Sequence, residues 1–253
     1  MEVNKVYHGD CFDIFPSIED KSVNLLFADL PYGTTKCKWD STLPLDKFWE
    51  EALRVVKDDG VILLFAQTPF DKVLGASNLP MLKYEWIWEK TQATGHLNAK
   101  KMPMKAHENI LVFYKNLPTY NPQKTFGHER KVSSAKSRAA CIERRNQKED
   151  YLYNKEIVES VEGYDSTERY PRSVLKFSSD KQKLALHPTQ KPVALVEYLI
   201  KTYTNPGDLV LDNVAGSGTT AVACKNLGRN YIAIEKEEKY YNIMLKRIES
   251  YEQ

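Results

Sequence analysis

Between Leu209 and Glu235 the sequence alternates in a way that an open, twisted α/β sheet accommodates and few other folds do. An apolar run, Leu209-Val210-Leu211, ends at Asp212, and a turn with two glycines follows, Asn213-Val214-Ala215-Gly216-Ser217-Gly218. Thr219 and Thr220 open an apolar helical stretch through Ala221, Val222, Ala223 and Leu227, and a second apolar run, Tyr231 to Ile234, ends at Glu235. Strand, glycine turn, helix, strand, acid is the pattern of a βαβ unit that holds a nucleotide-like ligand at its turn. Gly216 and Gly218 let the backbone come close to such a ligand. Glu235 lies 23 residues beyond Asp212, the spacing from which an acid reaches ribose hydroxyls.

Two ligand classes fit this turn. Gly216-x-Gly218-x-x-Ala221 satisfies the dinucleotide fingerprint, so a nicotinamide oxidoreductase is one reading. Asp212 weighs against it, because a carboxylate ending the first strand would face, and repel, a pyrophosphate. S-adenosylmethionine has no phosphate and carries a sulfonium and an ammonium. One unit pair at ~4 Å and an effective dielectric of ~20 amounts to about 4 kcal/mol before desolvation, enough to separate the two classes. The acid favours S-adenosylmethionine.

The rest of the chain reads as the same kind of sheet. Val23 to Ala28 and Val61 to Ala66 are apolar runs of buried-strand type, and Tyr84–Glu89 and Asn109–Tyr114 are two further strands. Helices are expected after Pro44, with apolar Phe48, Ala52, Leu53 and Val56 on one face and Asp58-Asp59-Gly60 as the stop, and from Pro69 to Leu79. Another follows Pro192, through Val193, Val196, Leu199, Ile200 and Tyr203, and a last one carries Tyr240, Ile243, Met244 and Ile248. Val3–Tyr7 reads as a short strand, followed by a helical turn that Asp10 either caps or leaves in order to face a ligand. Strands alternating with helical spacers indicate a doubly wound sheet.

A second chemical signal lies at Asp29-Leu30-Pro31-Tyr32, directly after the strand Val23–Ala28. Pro31 pushes Leu30 toward an extended conformation and leaves the Leu30 carbonyl without a helical partner. One carboxylate, one free carbonyl and one aromatic face suit a planar base with an exocyclic amine. The alternative is a strand-end turn with a capping aspartate. Beside a methyl donor, however, the motif implies methylation of a base amine.

Composition bounds these readings. The 253 residues are 42% hydrophobic and 28% charged, ordinary for a soluble globular chain. Cys11, Cys37, Cys141 and Cys224 are scattered, without metal-ligand spacing, and read as reduced thiols; no metal is expected. No signal peptide or membrane-length apolar run is visible, so a cytoplasmic protein without a membrane partner is expected. From Leu117 to about Leu186 the periodicity fails. Between Asn121 and Lys148, eight Lys or Arg face two acids, a local +6, with tyrosines interleaved nearby. Such a segment is either a nucleic-acid surface or a solvated insertion. Arg144 and Arg145 are its strongest phosphate candidates, with Lys100, Lys101 and Lys105 as the other basic group.

In these elements the sequence resembles the DNA adenine-N6/cytosine-N4 amino-methyltransferases of the permuted β class. Asp29-Leu30-Pro31-Tyr32 resembles the family's catalytic D-P-P-Y. Asp212 to Thr220 is similar to its D-P-F-A-G-S-G-T-T cofactor loop, and Glu235 to its ribose acid. His187-Pro188-Thr189-Gln190-Lys191-Pro192 matches its H-P-T-Q-K-P element beside the cofactor's methionine end, and Gly9-Asp10 its N-terminal G-D. The resemblance implies a Rossmann-like, circularly permuted α/β methyltransferase sheet formed by residues 1–117 and 186–253, with 118–185 as an inserted target-recognition segment. It implies catalytic roles for Asp29, Leu30, Pro31 and Tyr32. It implies S-adenosylmethionine binding by Asp10, Thr189, Lys191, Asp212, Ala215, Gly216, Ser217, Gly218, Thr219, Thr220 and Glu235. The partner it implies is double-stranded DNA, with a homodimer as one admissible assembly. The activity it implies is site-specific methylation of a flipped base, adenine N6 ahead of cytosine N4, of the restriction–modification type. Two positions depart from the family pattern: Leu30 stands for the first proline, and Asn213-Val214 for Pro-Phe.

Overall fold

The computed structural model describes residues 1–33, 43–146, 162–178 and 190–250. Two compact units emerge, one of residues 1–121 and 172–253 and one of residues 122–171.

The larger unit is built on an eight-stranded sheet. In chain order its strands are β1 (Lys5–His8), β2 (Val23–Ala28), β3 (Val56–Ala66), β4 (Leu82–Thr94), β5 (Lys105–Phe113), β8 (Val174–Phe177), β9 (Leu209–Asp212) and β10 (Asn230–Glu235). The spatial order is β1-β10-β9-β2-β3-β5-β4-β8. The first five are parallel, β5 is antiparallel to both β3 and β4, and β8 is parallel to β4. Helices α1 (Cys11–Ile14), α2 (Leu45–Val55), α3 (Phe70–Ser77), α5 (Val193–Tyr203), α6 (Thr219–Leu227) and α7 (Glu238–Glu249) cover both faces.

Alternation along the strands divides the core in two. Leu25 and Phe27 of β2 join Val61, Leu63 and Phe65 of β3 under α5, α6 and α7. Leu26 and Ala28 face the other way, with Ile62 and Leu64, onto α1, α2 and α3. A strand buried on both faces must be apolar at every position, which is why these runs lack a polar/apolar alternation. Tyr203 is buried at the end of α5, where its hydroxyl meets Tyr84 at 2.9 Å and accepts from Trp86 Nε1 at 2.6 Å. A buried phenol requires such partners.

Several boundaries differ from expectation: β1 is Lys5–His8 rather than Val3–Tyr7, β4 runs on to Thr94 and β5 begins at Lys105, four residues before Asn109. The helix after Pro44 stops at Val55, and β3 begins at once with Val56, before Asp58-Asp59-Gly60. Pairing with β2 jumps from Val23↔Val56 to Leu25↔Val61, so Lys57–Gly60 form a bulge. A Cβ on Gly60 would lie 2.7 Å from Val56 Cγ1, which ties the glycine to this bulge rather than to a helix stop. The stretch expected to be irregular also contains a strand of the main sheet, since Val174–Phe177 pairs with Ile87–Lys90 of β4.

The smaller unit, residues 122–171, contains β6 (Lys131–Ser133) and β7 (Tyr164–Ser166) as an antiparallel pair, and α4 (Ala135–Asn146). Arg130 grips Asp165 with two hydrogen bonds of 2.7 and 2.6 Å. Lys124 pairs with Glu168 at 2.9 Å. Across the whole unit ten Lys or Arg meet nine Asp or Glu, a net +1. The basic block is therefore balanced by acids that lie past Lys148.

Candidate active site

The carboxyl ends of β2, β3, β9 and β10 and the segments around them line a cavity of about 630 Å³. This is where an open α/β sheet places its ligands. Asp29, Leu30, Pro31 and Tyr32 are on its wall, as are Asp10, Lys191, Asp212, Ala215, Gly216, Ser217, Thr219, Thr220 and Glu235. Thr189 lies outside the described residues. Among the described residues, no group of three His, Cys, Asp or Glu is arranged to hold a metal.

The acid at the end of β2 is already engaged. Tyr32 donates its hydroxyl to Asp29 Oδ1 at 2.6 Å, and Lys191 Nζ lies 2.7 Å from Asp29 Oδ2. Burial raises the Asp29 carboxyl above the usual range, against the opposing pull of Lys191, while the charge of Glu108 adds to the rise. The Tyr32 ring stacks on Phe70, with centroids 5.2 Å apart. The Leu30 carbonyl accepts no hydrogen bond among the described residues, while the Leu30 side chain is buried in the core. One free carbonyl beside one carboxylate is thus realised, but the carboxylate has two occupants.

The resemblance implies a place for Lys191 at the cofactor's methionine end. Its ammonium instead bridges Asp29 and Glu108, at 2.7 and 2.9 Å. A lysine only 8% exposed needs counter-charges, and these two carboxylates supply them. Burial works to lower the Lys191 pKa, and the two acids outweigh it and hold it above the usual lysine range. Glu108 in turn meets Lys90 at 2.5 Å. Burial acts to raise Glu108, but Lys191 and Lys90 overcome it and hold the carboxyl at about 2.

Asp212 ends β9 and is 5% exposed. It accepts from the Val214 amide at 3.1 Å and from the Thr220 hydroxyl at 2.5 Å. Burial nonetheless pushes its carboxyl up to about 7. Glu235, also raised by burial, accepts from the Gly216 amide at 2.7 Å and from the Glu237 amide at 2.8 Å. It therefore fixes the glycine turn as well as facing the cavity. Gly218 adopts φ +78°, and a Cβ there would sit 2.5 Å from Met244 Cγ, so no larger residue fits. Arg247 holds the turn from behind, donating to the Ser217 carbonyl at 3.1 Å and to Thr219 Oγ1 at 3.0 Å. Asp10 realises its capping alternative. It accepts from the Phe12 amide at 3.0 Å and pairs with Lys236 at 2.9 Å, while still facing the cavity.

The basic residues stand outside this wall. Lys100 and Lys101 are exposed in the connection between β4 and β5, and Lys105 donates to Gln67 Oε1 at 3.1 Å. Arg144 and Arg145 lie on α4, with side chains outside the described set.

Reading the sequence missed Glu108, Lys90, Phe70 and Arg247. Each acts across the sheet or between distant segments, so no local spacing marks it. Asn213 is a further case. It is 2% exposed, and its amide finds no oxygen or nitrogen partner among the described residues, only the neighbouring Cys11 thiol. A buried amide on a cavity wall without such partners is suited to a polar ligand. Two acids, this amide and a turn without a basic side chain fit a cationic nucleoside better than a diphosphate. The residues present are compatible with S-adenosylmethionine.

A family model described as DNA methylase matches residues 23–246. The chain is 32% identical over 261 residues to the type II methyltransferase M1.MboII of Moraxella bovis, covering 96% of this chain and 95% of that protein. It is 31% identical over 263 residues to the DNA adenine methyltransferase YhdJ of Escherichia coli, covering 98% and 83%. A crystal structure of an M1.HpyAVI–SAM complex superposes with a TM-score of 0.62 at 26% identity, over 96% of this chain and 98% of that one. The cytosine-N4-specific PvuII DNA methyltransferase superposes with a TM-score of 0.66 over 96% and 85%; at 17% identity that likeness is one of fold.

Proposed function

The chain belongs to the DNA methylases that use S-adenosylmethionine to methylate adenine N6 or cytosine N4, and we propose that its target is the N6 of an adenine flipped out of duplex DNA. The observation that carries the choice of base is Asp29, at the position where cytosine-N4 members of the family more often place Ser. A relative named as a DNA adenine methyltransferase, 31% identical, supports it.

In this reading Asp29 and the Leu30 carbonyl accept the two hydrogens of the exocyclic amine. The amine lone pair is otherwise delocalised into the ring, and two acceptors favour a pyramidal nitrogen whose lone pair is free to attack. They act most strongly as positive charge grows on that nitrogen, so they stabilise the transition state more than the bound base. Tyr32, stacked on Phe70, is the ring that would hold the base, whose amine is out of reach inside the duplex stack. Asp212, Glu235, the Gly216–Thr220 turn, Asn213 and Asp10 hold the cofactor. When bound, S-adenosylmethionine supplies an electrophilic methyl on a sulfonium. The segment 122–171 and the β4–β5 connection contact DNA, with Arg144, Arg145, Lys100, Lys101 and Lys105 on phosphates.

The test is nucleoside mass spectrometry of unmodified DNA incubated with the protein and S-adenosylmethionine. N6-methyladenine is expected. N4-methylcytosine without N6-methyladenine overturns the choice of base and leaves the pocket's acceptors intact.

A further inference from the structure

Four charges alternate through the floor of the cavity: Asp29 at the end of β2, Lys191 before α5, Glu108 on β5 and Lys90 on β4. Their separations are 2.7, 2.9 and 2.5 Å. Glu108 and Lys191 are each 8% exposed, so neither charge is there for solubility. The pairing is dictated by the sheet, because Glu108 lies opposite Trp88 in the β4–β5 register, two residues from Lys90. Lys191 also lies over the Phe65 ring, 4.7 Å from its centroid, which restricts where its ammonium can move.

The arrangement poses a problem for any chemistry at Asp29. Oδ1 accepts from Tyr32 and Oδ2 faces Lys191, so an incoming amine that approaches Oδ2 competes with the Lys191 ammonium and must shift it or share the oxygen with it. An ammonium expelled from its only counter-ion into a buried site would oppose that displacement. Here it has a second carboxylate already at 2.9 Å.

We propose that Glu108, braced by Lys90, is a positioning residue: it parks the Lys191 ammonium beside Asp29 and retains it when the target amine takes Asp29 Oδ2. The inference rests on the methyl-transfer reading of the pocket. Before the base arrives, Lys191 keeps Asp29 in its acceptor form; afterwards Glu108 keeps Lys191 from competing with the amine. The charged and titratable groups around Asp29 are Tyr32 on the same turn, Lys191, Glu108 with Lys90 behind it, and Asp212 at the neighbouring strand end.

The test separates charge from packing. In the ligand-free protein, the Asp29 carboxyl is titrated by carbon NMR, its resonance assigned by its loss in Asp29→Asn. Glu108→Gln removes a repelling charge, so the Asp29 midpoint falls by about one pH unit or more. Lys191→Met removes the attracting one, and the midpoint rises by a similar amount. Glu108→Asp keeps the charge and the parent midpoint. On DNA, Glu108→Gln raises KM, because Lys191 now clings to Asp29 alone, and adding Lys191→Met to it recovers part of that loss. A purely structural role predicts no opposite shifts and no recovery. Midpoints that stay at the parent value, or move in the same direction in both variants, overturn the proposal. Should Glu108→Gln not fold, Lys90→Met carries the test: the Asp29 midpoint must rise, and an unchanged one overturns the proposal. Failure of the methyl-transfer reading shows separately, as absence of labelled DNA with the parent protein.

Discussion

Leu30 stands where the resemblance leads one to expect proline, and its surroundings explain why the site tolerates it. Its side chain is buried with Phe70 and Leu64 on the α1–α3 face of the sheet, and its amide donates no hydrogen bond among the described residues. Leu30→Pro is therefore expected to keep the carbonyl and the activity but to lose roughly 1–3 kcal/mol of stability through the buried volume it gives up. Thermal melts and methylation assays on the same preparation check both halves. Asp212 makes a sharper case. Its folded pKa, about 7, lies above the value near 4 of an unfolded aspartate. Its contribution to folding is then fully present below pH ~4 and is lost as pH rises through about 7, because the buried site disfavours the anion. A cationic ligand needs that anion. Binding of S-adenosylmethionine at pH ~6 should release close to one proton, and at pH ~8.5 almost none. Calorimetry in buffers of different ionisation heat measures this. Asp212→Asn should weaken binding by about 1.5–3 kcal/mol and abolish the proton release.

The end of β4, the connection to β5 and the start of β5 carry Lys100, Lys101 and Lys105 without an acid from Thr91 to His107. Thr91 and Thr94 of the same stretch line the cavity. Replacing Lys100 and Lys101 together by Gln should lower the salt dependence of DNA binding by roughly one unit of slope for each phosphate no longer neutralised, with cofactor affinity unchanged. Filter binding across a salt series reads the slope. The basic block at 124–148 is a weaker candidate than its local +6 suggests, since Arg130 and Lys124 are paired with Asp165 and Glu168. The same contrast shows what sequence can and cannot convey. α5 and α6 show a helical spacing of apolar residues, and β2, β9 and β10 are unbroken or nearly unbroken apolar runs bounded by turn residues, so all five can be read. Asp29, Asp212 and Glu235 are legible because each ends an apolar run. β6 and β7 have three residues each, too few for any period, and Val174–Phe177 is embedded in polar sequence. Glu108 and Lys90 escaped because their meaning lies in strand pairing, which links positions 18 apart.

Across the larger unit, both flanks of the segment 122–171 are tied down independently of it. The Asn121 amide donates to the Thr202 carbonyl at 2.7 Å and its side chain to the Thr204 carbonyl at 3.1 Å, while Val174–Phe177 pairs with β4. Replacing residues 122–171 with a short flexible linker should leave S-adenosylmethionine binding within about threefold, well under 1 kcal/mol, and remove sequence-selective methylation. Calorimetry and modification-sensitive sequencing measure the two. β2 and β9 are direct neighbours, with Leu26 opposite Leu211, so Asp29 and Asp212 stand at adjacent strand ends. The lateral separation of these two strand ends is thereby set by the ~4.8 Å spacing of hydrogen-bonded strands. The backbone ladder is the ruler between the two acids. With Leu26 opposite Leu211, Asp29 stands two residues beyond the level of Asp212; a two-residue slip of β2 against β9 would keep every side chain on its own face, yet change that offset by ~7 Å. Such a protein would keep its core and lose its chemistry, because the reach of the transfer is stored in strand register, beyond the influence of any single side chain.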